Sequence, residues 1–129
     1  FSMLWQVMAE KLGLSVDYIK SDWRIGVDAA AIAERLSADK AHKIKAVAIV
    51  HNETATGCCS PVEEVRKALD AAGHPALLMV DTISSLGCVD FQHDAWGVAE
   101  GLVHIGQTKT LVKTGQIVIG VNARQIIGG

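Results

Sequence analysis

Apolar residues fall along this chain in two alternating rhythms. Between Leu4 and Leu12 they recur at Leu4, Val7, Met8 and Leu12, the spacing of one helical face, with Gly13 as the stop. Leu14 to Ile19 then alternates apolar with polar, which predicts a strand with one solvated face. Asp28 precedes an Ala-rich stretch through Ala31, Ile32 and Leu36 and predicts a capped helix. Ile44 to Val50 is almost continuously apolar, as in a strand buried on both faces of a parallel sheet. Ser60-Pro61-Val62-Glu63 has the make-up of a capping box, with Pro at the first helical position and Glu at the third. The helix predicted there runs through Val65, Leu69 and Ala72 and ends at Gly73, and Ala76 to Val80 forms a second apolar strand. Strand, helix and strand make a βαβ unit with a right-handed crossover. Leu102 to Ile105 and Gln116 to Val121 are shorter strand candidates, and Asn122 begins a last predicted helix. The expected fold class is α/β: three layers, a mainly parallel sheet with flanking helices.

Composition narrows the class without naming a chemistry. The 129 residues, 50% of them hydrophobic, suffice for one domain with one core. A net charge of −2, with 12 basic residues scattered along the chain, offers no electrostatic footprint for nucleic acid or an anionic membrane. No apolar run approaches the roughly 18 residues of a membrane span. The opening Phe1-Ser2-Met3-Leu4-Trp5 lacks the basic region of a signal peptide, and it lacks an initiator Met, so a chain starting inside a larger protein is expected. Cys58, Cys59 and Cys88 form neither a disulfide framework nor a zinc spacing and are expected to be small, partly buried packing residues in a reducing, cytoplasmic compartment.

Open parallel sheets bind ligands beyond the carboxyl ends of their strands. Two such ends are dense in short polar side chains: His51-Asn52-Glu53-Thr54-Ala55-Thr56-Gly57 and Asp81-Thr82-Ile83-Ser84-Ser85-Leu86-Gly87. Asp81 is the sharpest residue. A carboxylate ending an apolar strand is desolvated and needs a cationic or hydrogen-bonding partner, and a protonated heterocyclic nitrogen would serve. The competing reading is a cap on the turn through Thr82 and Ile83. Glu53 and Thr56 divide in the same way between ligand contact and a self-satisfied turn. His51 either lines the pocket or packs at the strand end. His42, His74 and His93 read as loop or helix-end residues, and Trp5, Trp23 and Trp96 as core or interface anchors.

At these two segments the sequence resembles a known family. Residues 50–57 look like an aminotransferase loop His-x-Glu-(Thr/Ser)-x-Thr-Gly, and residues 80–87 look like the same family's Val-Asp-(Thr/Ser)-x-x-Ser-Leu-Gly. His93-Asp94-Ala95-Trp96-Gly97-Val98 resembles the segment before that family's lysine strand. The chain is thereby identified as similar to class V pyridoxal-phosphate-dependent aminotransferases of fold type I, closest to the serine–glyoxylate and alanine–glyoxylate enzymes. The resemblance is specific over residues 1–98 and poor over 99–129. It implies that residues 1–129 form part of the cofactor-binding large domain, with pyridoxal 5′-phosphate as cofactor. It also implies Asp81 as the partner of the pyridine nitrogen and Thr54 as a cofactor contact.

Beyond Val98 the nearest match to the family's lysine motif is Gly106-Gln107-Thr108-Lys109-Thr110-Leu111, aligned only with two residues inserted. Lys109 is the candidate Schiff-base lysine, with Gln107 and Thr108 as candidate phosphate contacts. Lys113 competes for that role, and a plain surface lysine is the alternative for either. The family's Pro-Pro-Gly is replaced by Val112-Lys113-Thr114-Gly115. The resemblance further implies transamination of a small amino acid, serine or alanine, with glyoxylate as acceptor. It implies a homodimer in the full-length parent, in the cytoplasm or, in a eukaryote, the peroxisome. The family's phosphate loop, its stacking aromatic and its C-terminal small domain cannot be located in the sequence. Two other readings compete: a non-catalytic α/β scaffold with a degenerate lysine strand, and a cysteine desulfurase. The desulfurase reading is weakened by Ser84, where that group has Gln.

Overall fold

A computed structural model describes residues 2–98, 100–102 and 116–122 of the chain, the last two stretches as backbone. The elements run α1 (Ser2–Lys11), β1 (Ser15–Ser21), α2 (Ala29–Ala38), β2 (Ile44–Val50), β3 (Asn52–Glu53), β4 (Cys58–Cys59), α3 (Val62–Ala72), β5 (Leu77–Asp81), β6 (Glu100–Leu102) and β7 (Gln116–Asn122). Five strands form one sheet in the order β1-β7-β2-β5-β6, and β3 and β4 form a small antiparallel pair. Every pairing within the five-stranded sheet is parallel. The fold is therefore α/β with a parallel sheet. The predicted βαβ unit is β2-α3-β5, in register from Ala46 opposite Leu77 to Val50 opposite Asp81.

Side chains alternate across the strands, and this divides the core. Ala46 and Ala48 of β2 and Met79 of β5 share one face with Trp5 of α1. Val47 and Ile49 of β2 and Leu78 and Val80 of β5 point to the opposite face. There they meet Ile32 and Leu36 of α2 and Val62, Val65 and Leu69 of α3. Ile32, Val47, Ile49, Val65, Leu69, Leu78 and Val80 have no exposed surface. Each such side chain contributes about 1.5–3 kcal/mol by leaving water. Asp28 caps α2 as predicted, its carboxylate accepting from the Ala30 and Ala31 N–H groups. Gly73 ends α3 at φ +57°, a left-handed conformation that glycine adopts without strain.

Three local expectations are corrected. The predicted face of α1 is the wrong one: Leu4, Val7, Met8 and Leu12 are exposed, while Ser2, Trp5 and Ala9 are buried. Both sides of this helix are apolar, and periodicity does not rank them. Trp5 removes the most surface from water, and small Ala46 and Ala48 give it room. Nor does β1 have one solvated face, because Val16 and Tyr18 pack on the α1 side while Ile19 joins the opposite core. Ser60, finally, does not cap α3. The cap position is Pro61, which makes no side-chain bond, and Ser60 Oγ instead accepts the Val27 N–H at 3.3 Å. A buried N–H from a distant segment outcompetes the helix end, which can still reach water.

The strand predicted at Leu102 begins earlier than expected, at Glu100, and its residues 103–105 lie outside the described ones. The strand predicted at Gln116 is present as β7 and ends at Asn122, while the continuation expected as a helix lies outside them. No described helix is long and apolar enough to cross a membrane.

Candidate functional site

The two polar segments meet at the carboxyl ends of β2 and β5. The sheet pairing extends one bond past β2, where His51 N–H donates to the Asp81 carbonyl at 2.9 Å. Asp81 is 2% exposed. Counting along β5 from Leu77 and Met79, its side chain lies on the α1 face, while His51 continues the series of Val47 and Ile49 on the other.

Asp81 uses one carboxylate oxygen in the turn and leaves the other without a partner among the described residues. Its Oδ1 accepts the Ile83 N–H at 2.9 Å and so shapes the turn. Its Oδ2 is buried and has no hydrogen-bond partner among the described residues. Burial first, and the nearby Glu53 carboxylate in addition, raise the Asp81 carboxyl above its ordinary range, against the Ile83 N–H, which lowers it. An atom in that condition is matched by a cationic N–H donor. The ring nitrogen of pyridoxal phosphate, when protonated, is such a donor, so the residue fits the group implied by the sequence.

Around Asp81 the turn is tightly bonded. Ser85 and Leu86 N–H groups donate to the Thr82 carbonyl at 3.0 and 2.8 Å. Ser85 is fully buried, and its Oγ lies 2.9 Å from His51 Nδ1. Asn52 and Ser84 bind reciprocally: Ser84 Oγ donates to the Asn52 carbonyl at 2.8 Å, and Asn52 Nδ2 donates to Ser84 Oγ at 3.1 Å. Thr82 Oγ1 is a second buried oxygen without a partner among the described residues. Thr82 and Ser85 are motif positions in the sequence, but it assigned neither of them a role. Their signal was position, directly after a buried strand.

Other predicted residues separate. Thr54 is exposed in the turn between β3 and β4. Thr56 follows the self-satisfied reading, its Oγ1 accepting the Cys58 N–H at 3.2 Å and donating to the Glu53 carbonyl at 3.5 Å. Glu53 is buried, and Oε1 accepts the Ala55 N–H at 3.3 Å. His51 packs behind the site against Phe91 and Trp96, with ring centroids 5.3 and 6.3 Å away. Trp5 is a core anchor, whereas Trp23 is exposed. Of the cysteines only Cys58 is partly buried, and Cys59 and Cys88 are exposed free thiols. They follow tight turns, which leave little to pack against. His74 follows the end of α3 as expected and is buried there. Gln107, Thr108, Lys109 and Lys113 lie outside the described residues. Among the described residues no group of three His, Cys, Asp or Glu is placed to hold a metal ion.

Comparison with known proteins gives a family and named relatives. The family model described as "Aminotransferase class-V" matches residues 1–106. A serine–glyoxylate aminotransferase of Hyphomicrobium methylovorum is 47% identical over 98% of this chain and 31% of that protein. One from Methylorubrum extorquens is 55% identical over 76% of this chain and 24% of that protein. An L-aspartate–glyoxylate aminotransferase of Paracoccus denitrificans is 51% identical over 76% of this chain and 25% of that protein. The chain thus spans 24–31% of the length of these relatives.

Proposed function

The chain belongs to the class V aminotransferase family, and on that premise we propose that it carries the nitrogen-binding part of a pyridoxal-phosphate-dependent transamination site. The observation that carries the reading is the buried, unpartnered Oδ2 of Asp81 at the end of β5. The sheet, with α1 on one face and α2 and α3 on the other, is then the middle of a three-layer large domain.

Pyridoxal phosphate, when bound, supplies an electron sink for the negative charge left when the amino acid loses its Cα proton. Asp81 holds a proton at the ring nitrogen and keeps that nitrogen cationic. Its raised basicity suits it to the task, because a more basic carboxylate makes a stronger charge-assisted bond. Thr54, Gln107 and Thr108 are proposed to bind the cofactor's oxygens. Lys109 is proposed to anchor the cofactor and to move the proton from the donor's Cα, with Lys113 as the competing position. The donor is a small amino acid such as serine or alanine, and the acceptor is glyoxylate or a similar oxo acid. The names of these relatives support glyoxylate as acceptor, and two of the three support serine as donor. The active assembly is proposed to be a homodimer.

The test is incubation of the chain with pyridoxal phosphate, borohydride reduction and peptide mapping. Label on Lys109 is the expected result. Label on Lys113 would move the lysine assignment, and no label on either would overturn the reading.

A further inference from the structure

The carboxylate of Asp81 is held through a series of bonds that begins on the opposite face of the sheet. Its Oδ1 is fixed by the Ile83 N–H. The turn that carries Ile83 is closed by the Ser85 and Leu86 N–H groups on the Thr82 carbonyl. Ser85 in turn is fastened to His51, Oγ to Nδ1, at 2.9 Å. The His51 backbone N–H holds the Asp81 carbonyl directly. One residue therefore grips both ends of the segment from 81 to 85. Its own ring is wedged against Phe91, which meets Trp96 edge-on at 5.3 Å.

We propose that His51 and Ser85 are positioning residues, a clamp behind Asp81 that fixes where its carboxylate meets the cofactor nitrogen. Both are buried, at 4% and 0% exposure, and the His51 ring meets Phe91 and Trp96, which pack against the α2–α3 core. They act through Asp81 and do not touch the cofactor. A polar pair in such a dry place is costly unless fully bonded, and once bonded it specifies one geometry where two apolar side chains would allow several. Neutral imidazole suits this clamp, and burial lowers the His51 pKa accordingly. The inference rests on the reading that Asp81 pairs the ring nitrogen.

The test uses 4′-deoxypyridoxine 5′-phosphate, which has no aldehyde, so its binding is independent of any lysine. Affinity and the protonation midpoint of the bound ring nitrogen, followed by ultraviolet absorbance, are measured for the wild-type chain, His51→Phe, His51→Asn, Ser85→Ala and Asp81→Asn. Circular dichroism checks the fold of each. His51→Phe and Ser85→Ala are expected to bind about tenfold more weakly, with the ring-nitrogen midpoint moved down. His51→Asn, which keeps a polar atom near the place of Nδ1, is expected to restore most of both. Ser85→Ala deletes a single oxygen and carries the test should His51→Phe not fold. If these variants matched wild type while Asp81→Asn lost affinity and midpoint, the clamp would be refuted and the reading of Asp81 would stand. If Asp81→Asn matched wild type, or the wild-type chain took up no probe, that reading would fall and the clamp with it.

Discussion

His74 Nε2 donates to Asp39 Oδ2 at 3.3 Å, joining the end of α2 to the entrance of β5. The direction follows from the other ring nitrogen: Nδ1 accepts the Ala76 N–H at 3.2 Å and so carries no proton. Replacing His74 with Phe leaves the buried Ala76 N–H without an acceptor, at a cost of about 1–3 kcal/mol in urea unfolding at neutral pH. Asp39 also accepts the Ile44 N–H at 2.6 Å, and that bond, ahead of the one from His74, holds its carboxyl below the ordinary range. A depressed carboxyl stabilises the fold above its unfolded pKa of about 3.9, and the contribution is lost as pH falls through the folded value. Asp39→Ala should therefore lower stability at neutral pH and flatten the acid limb of the stability curve below about pH 4.

Asp81 has the opposite sign. Burial raises its pKa, so the folded chain without cofactor holds the proton more tightly than the unfolded chain. Stability is greatest below the unfolded value, about 3.9, and declines as pH rises through the folded one. Asp81→Asn should raise the melting temperature of the cofactor-free chain at neutral pH and leave it little changed near pH 3. The same change should abolish binding of pyridoxal phosphate. A melting temperature lowered equally at both pH values would contradict this account.

Gly26 owes its place to close approach. A Cβ there would stand 2.7 Å from the Cys59 carbonyl oxygen and 2.7 Å from Ser60 Cα, both backbone atoms that cannot swing aside. Gly26→Ala is expected to cost about 1–3 kcal/mol through overpacking, measured by chemical denaturation. Ser60→Ala is expected to cost a similar amount, about 1–3 kcal/mol, by stranding the buried Val27 N–H. A serine that served as a helix cap would tolerate Asp in its place. Here Ser60→Asp should be worse than Ser60→Ala, because it buries a charge.

The two sides of α1 should respond differently to substitution. Trp5→Ala empties a buried site and should cost about 3–5 kcal/mol. Leu4→Glu and Leu12→Lys, at positions 64% and 72% exposed, should change the stability of this chain by no more than about 0.5 kcal/mol. Equal losses on both sides would mean that the exposed side is covered in solution.

The strands β2 and β5, helix α3 and the importance of Asp81 could be read from the sequence, because each has a local cause. A continuous apolar run, a helical period ended by Gly73 and a carboxylate after buried residues all lie within a short window. What could not be read depends on partners distant in sequence. Ser60 serves Val27, 33 residues away, and Ser85 serves His51, 34 residues away. The buried side of α1 is chosen by alanines on β2. No window of a few turns contains that information.

The place of β7 has a consequence for the order of events during synthesis. It lies between β1 and β2, pairing with Ser15–Ser21 on one side and with Ile44–Ile49 on the other. The gap between β1 and β2 is thus filled by residues that are synthesised after both of those strands. Translation at about 5–20 residues per second puts several seconds between the emergence of β2 and that of the strand beside it. During that interval β1 and β2 each present an open edge, the kind of surface that recruits strands from other molecules. The nascent chain is exposed to mispairing until β7 has emerged and closed both edges.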